Sequence, residues 1–159
     1  MKQWEMARWL KLITIIAGGI GTFFCFIIIP SWSHDLMPGY SGTQLLWKFF
    51  VAFIWITTIP CYLALWKFWG ICTRIGKDCS FCQENAMALK AISRYFITDC
   101  LLYIIATIAA FLSGLLFPEI LLIVMVILFI GFALAILTAA LSHLVLKASD
   151  LKQENDLTI

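Results

Sequence analysis

Charge is scarce in this chain. Asp, Glu, Lys and Arg make up 13% of its 159 residues, about half the share of a soluble domain, which excludes a water-soluble globule. Histidine occurs only twice, and there is no HExxH helix, no phosphate-binding glycine loop and no paired nucleophile and base. Those absences remove the usual signatures of a hydrolase or a nucleotide enzyme. A formal charge of +2 is too small for direct nucleic-acid binding, and nothing in the sequence calls for a cofactor. The chain reads as a non-enzyme.

Long apolar runs fill most of the sequence, at roughly Leu10–Ile29, Leu45–Trp66, Tyr95–Phe117 and Ile120–Val145. A hydrocarbon core of ~30 Å needs about 20 helical residues, and lipid tolerates no open sheet edge. The expectation is one all-α membrane domain over residues 1–159 with four transmembrane helices. Ten of the eleven Lys and Arg residues fall before the first run, between the second and third, or after the fourth. Only Lys48 lies apart, one turn inside the second run and able to snorkel. The positive-inside rule then places both termini in the cytoplasm of a cell whose cytoplasmic membrane the chain crosses four times. Trp4, Trp9, Trp66 and Trp69 fall at the expected inner interface and Trp32 and Trp47 at the outer. The first run is about twice the length of a signal-peptide h-region of ~7–15 residues, with no A-x-A-like site after it, so it reads as a retained anchor.

Pro30 closes the first run, and Pro60 sits inside the second, where a kink is expected. Spans three and four read as a tight helical hairpin turning at Pro118-Glu119. That register sets Ala106 opposite Gly131, with small-residue ridges at Ala106, Ala110 and Gly114 and at Gly131, Ala135 and Ala139. It also sets Asp99 level with Thr138 and Arg94 level with His143, a polar cluster at the inner end of the hairpin. Asp99 is the only acid within a span. It serves either to tie the hairpin or as the centre of a small transporter or ion- or proton-conducting protein.

The connection Lys67–Arg94 is the longest non-spanning segment. Its first half, Lys67–Lys77, interleaves basic and bulky apolar residues, as suits a segment in the headgroup layer. Ser80 or Cys82 then caps a helix from Gln83 to Phe117, ~50 Å at 1.5 Å per residue. Cys79-Ser-Phe-Cys82 is a CxxC that suits a thiol redox pair or half a metal site. A cytoplasmic location keeps such thiols reduced, and no histidine accompanies them, so no metal is assigned. Cys25, Cys61 and Cys100 lie within spans, where Cys acts as a small hydrophobe. His34 and Asp35 are adjacent in the outer loop.

The string Gly76-Lys-Asp-Cys-Ser-Phe-Cys-Gln-Glu-Asn-Ala-Met-Ala-Leu-Lys-Ala-Ile92 and the tail Leu151-Lys-Gln-Glu-Asn-Asp-Leu-Thr-Ile159 resemble the bacterial family of domain of unknown function 2975, along essentially the whole chain. The family's inner-loop Phe-Ser-x-Glu-Asn pattern has Cys82 here in place of its usual Ser. The resemblance implies four spans, no established activity, and a cytoplasmic partner such as a helix-turn-helix transcription regulator. It points to Ser80, Phe81, Glu84, Asn85 and Leu89 in the loop and Asn155, Asp156 and Leu157 in the tail as interaction residues. The expected partners are therefore the lipid bilayer and a soluble protein bound at loop and tail.

Overall fold

Without water to satisfy backbone N–H and C=O groups, a lipid-embedded chain must satisfy them within helices, and this chain does. The computed structural model describes residues 3–28, 31, 43–77, 79–114 and 118–156. It contains α1 (Gln3–Phe23), continued by a π-helical stretch Phe24–Ile28, then α2 (Thr43–Ile75), α3 (Gln83–Leu112) and α4 (Pro118–Asp156). Four helices among the described residues are long and apolar enough to cross a membrane. Pro30, His34, Asp35 and Leu157 lie outside the described residues.

The accessible surface is 11567 Å². A soluble protein of 18.0 kDa would show about 8,000 Å², so helix faces that a globule would cover are left outward. Phe129, Ile136, Phe111 and Leu112 are each at least 69% exposed, as a lipid-facing surface requires. The buried apolar cluster is small and lies at the basic end, between α2 and α3. Ala64, Phe68, Ile71 and Ile75 form one helical stripe, packed on Ala88, Leu89, Ile92, Tyr95 and Phe96.

α3 and α4 run antiparallel along one another, joined by two reciprocal bonds. The Ser93 hydroxyl donates to the Ala135 carbonyl (2.8 Å), and the Ser142 hydroxyl donates to the Ala86 carbonyl (2.7 Å). Seven residues, two turns, separate the partners on each helix, so one face of each is held. Further along, Gly131 closes on Cys100, whose Sγ would lie 2.6 Å from a Cβ at position 131.

This pairing corrects the register expected from the sequence. Gly131 meets Cys100 rather than Ala106, and Ala86 and Ser93 are further contact points on the α3 side. Ala139 is exposed. The cause is local: Gly114 has φ +68°, the left-handed conformation of a residue just past a helix end, while Pro118 is the first residue of α4, where its missing N–H costs nothing. The pairing is therefore centred near residue 114, not at 118–119. Lys67–Ile75 continues α2 as helix, so the connection between α2 and α3 runs over residues 76–82.

Gly131→Ala is expected to lower stability by about 1–3 kcal/mol through overpacking, and Cys100→Ala in the same chain to recover most of it. Denaturation of the detergent-solubilised protein measures both, and additive losses would contradict the contact.

Candidate functional site

The connection between α2 and α3 is organised by one side chain. Asn85 is 1% exposed. Its amide Nδ2 donates to the carbonyls of Cys79 (2.9 Å) and Ser80 (3.1 Å), and its Oδ1 accepts from Arg74 Nη1 (3.4 Å). Its own backbone N–H donates to the Cys82 carbonyl (3.0 Å), so Asn85 closes the start of α3 as well as the loop. Gly76, Lys77 and Cys79 donate back to the last turn of α2, at Cys72 and Arg74. The short loop is thereby tied to both helices it joins.

Cys82 is the N-cap of α3, in extended conformation and without a side-chain cap hydrogen bond; its thiol instead donates to the Cys79 carbonyl (3.1 Å). Burial pushes the Cys82 thiol up to about 11, reinforced by its hydrogen bonding with Cys79. Cys79 is exposed. The two sulfurs and a Glu84 carboxylate oxygen lie within 4.8 Å of one another, a donor set with three ligands that would leave the fourth position of a tetrahedral metal to water.

The loop candidates divide by burial. Phe81 is 60% exposed and Glu84 is exposed, whereas Asn85 is internal and Leu89 packs on the apolar cluster. Ser80 is half-buried, and both it and Asn155 are engaged in contacts. Asn155 and Asp156 belong to α4, which continues as helix to its last described residue.

The intramembrane candidates do not assemble as the expected register would have them. The Thr138 hydroxyl bonds within α4, to Leu134 (2.7 Å) and Ala135 (3.1 Å), and Arg94 and His143 are exposed. Asp99 faces α2 instead, where the Cys61 thiol donates to its Oδ2 (3.8 Å); its Oδ1 is buried with no hydrogen-bond partner among the described residues.

Around Asp99 the structure gathers polar groups that look scattered in the sequence. Tyr103, one turn along α3, reaches the Thr57 hydroxyl (3.4 Å). Cys25 meets Thr58 (3.2 Å). Tyr62 donates to the Gly18 carbonyl (3.0 Å) and pairs with the Thr22 hydroxyl. The result is a polar band, Thr57 to Tyr62 on α2, that binds α2 to α1 on one side and to α3 on the other. The signal available in sequence was the i, i+1, i+4 and i+5 spacing of Thr57, Thr58, Cys61 and Tyr62, which puts small polar groups on two adjacent faces of one helix.

These features define an all-helical membrane protein of four apolar helices, with a side-chain-locked loop at one end and a polar band within. The chain belongs to the family described as Protein of unknown function (DUF2975), whose model matches residues 7–159. It is similar to the Uncharacterized membrane protein YoaS of Bacillus subtilis (strain 168), 28% identical over 155 residues that cover 94% of this chain and 95% of that one. No solved structure matches.

In the wild type, iodoacetamide is expected to modify Cys79 well ahead of Cys82, with the Cys82 rate climbing as pH is raised toward 11 because only the thiolate reacts. Asn85→Ala removes the two bonds to the loop carbonyls, costs about 1–3 kcal/mol and brings the two rates together. Equal rates in the wild type, read by peptide mass spectrometry, would show that the loop is not closed.

Proposed function

We propose that this is a membrane-anchored regulatory or interaction protein of the cytoplasmic membrane, with both termini inside. It presents the 76–82 loop and the C-terminal tail to a soluble partner such as a helix-turn-helix transcription regulator. The observation that carries the reading is Phe81, 60% exposed on a loop whose backbone Asn85 holds in place. A large apolar side chain on a pre-ordered loop gains ~1.5–3 kcal/mol when a partner covers it, with little ordering left to oppose binding. The length of α4 supports the same reading. Its 39 residues span ~58 Å at 1.5 Å per residue, well beyond a hydrocarbon core of ~30 Å, so its last turns project from the bilayer. Phe81→Ser, or removal of Asp156–Ile159, is expected to abolish co-purification of a regulator identified by mass spectrometry while membrane insertion is unchanged. Undiminished co-purification in both variants sinks the proposal.

A second reading, a small transporter or ion- or proton-conducting protein, has its own support in Asp99. A carboxylate oxygen without a hydrogen-bond partner, set in a polar band between apolar helices, is the kind of intramembrane group that binds a proton or cation. Here Asp99→Asn is expected to abolish proton- or ion-dependent flux in proteoliposomes. Absence of flux in the wild type ends this reading.

A further inference from the structure

Gly76, at the end of α2, lies against α1. A Cβ added there would sit 3.3 Å from the Ala7 Cβ, and Ala7 itself is 3% exposed. This close approach brings the basic residues of two separate segments to one place. Arg8 and Lys11 of α1 line, with Lys77, Thr73 and Trp4, a groove of about 200 Å³ to which no carboxylate among the described residues contributes. Two of the three cations are held as well as gathered. The Arg8 guanidinium lies 3.3 Å from the centre of the Trp4 ring, and the Lys11 ammonium lies 5.3 Å from that of Trp69. Stacking on the ring face leaves the guanidinium N–H edge free. The Thr73 hydroxyl is engaged by the Trp69 carbonyl (3.0 Å), so the cations are the donors that remain.

Three like charges converging without a counter-charge among the described lining residues suit an anion with several acceptor oxygens. The surroundings decide which kind. Directly beyond Lys11 the face of α1 is apolar and open: Leu12, Ile13 and Ile16 are 49%, 56% and 50% exposed. A soluble anion makes no use of that surface, whereas a lipid bearing a phosphate uses both, with its headgroup among the cations and its acyl chains along α1. We infer that the groove formed by Arg8, Lys11 and Lys77 is a binding site for the phosphodiester headgroup of an anionic phospholipid. The site joins α1 to the end of α2, so an occupied groove clamps the first helix onto the rest of the bundle at its basic end.

The full chain in a neutral detergent, titrated with phosphatidylglycerol or phosphatidylcholine and read by native mass spectrometry and thermal melting, tests this. Retention of phosphatidylglycerol over phosphatidylcholine is expected, with a raised melting temperature. Each of Arg8→Gln, Lys11→Gln and Lys77→Gln should weaken retention about fivefold, and the triple variant on the order of 100-fold, from about 1 kcal/mol per basic residue. Lys48→Gln, in the half of α2 remote from the groove, should change nothing. Equal retention of the two lipids, a triple variant that binds as wild type, or inorganic phosphate raising the melting temperature as far as the lipid does would each overturn the proposal.

Discussion

The close pairing of α3 with α4 determines what the rest of the bundle can present. Lipid tails are as apolar as leucine, so burying hydrophobic faces gains little here, and helices associate through close backbone approach and a few polar bonds. Ser93 and Ser142 supply the bonds, and Gly131 and Ala135 allow the approach. Fixing that face of α3 fixes its rotation. Asp99 and Tyr103 are then turned toward α2, where Cys61 and Thr57 meet them. One helix pair thus decides where the only intramembrane acid points.

The same rotation sets the basic end. Ala86 accepts the bond from Ser142 on one face of α3, while Asn85, the preceding residue and so about 100° around the helix, is turned toward the loop. Two carbonyls of the loop, those of Cys79 and Ser80, and the Arg74 guanidinium find partners in that single side chain. A buried amide left unpaired is costly, so its near-complete pairing explains why a loop joining two helices stays closed. Cys82, a poor N-cap, starts α3 with no side-chain cap bond; the Asn85 bonds hold the segment there instead.

Hydropathy alone makes the four spans legible, because a run of about 20 apolar residues has few alternatives. What the sequence misplaced depends on single residues with two meanings. Pro118 suits the centre of a turn or the first turn of a helix, and only Gly114 in the left-handed region selects the second; the choice moves the partner of Gly131 from Ala106 to Cys100. The basic, bulky segment after Lys67 continues α2, where the stripe Phe68, Ile71 and Ile75 keeps the helix packed. The spacing of Thr57, Thr58, Cys61 and Tyr62 marks the α2 side of the polar band, but its partners on α1 and α3 depend on the rotation of three helices at once. Asn85 shows a different limit. Its presence in the family-like string is visible in the sequence, yet whether an Asn faces a partner or its own loop depends on burial, which the string does not encode.

The band around Asp99 and the loop at the basic end are separate chemical regions. From Thr57 to Tyr62 is about 8 Å along α2, so the band is a short belt in depth. Between it and the loop lies the stripe Ala64, Phe68, Ile71 and Ile75, closed against Ala88, Leu89, Ile92, Tyr95 and Phe96. A proton or ion leaving Asp99 toward the basic end would have to part packed aromatic and aliphatic side chains, whereas Phe81 and Cys79 are accessible without any rearrangement. The loop is accessible as it stands, whereas a path from Asp99 to the basic end would need a conformation that opens the α2–α3 seam.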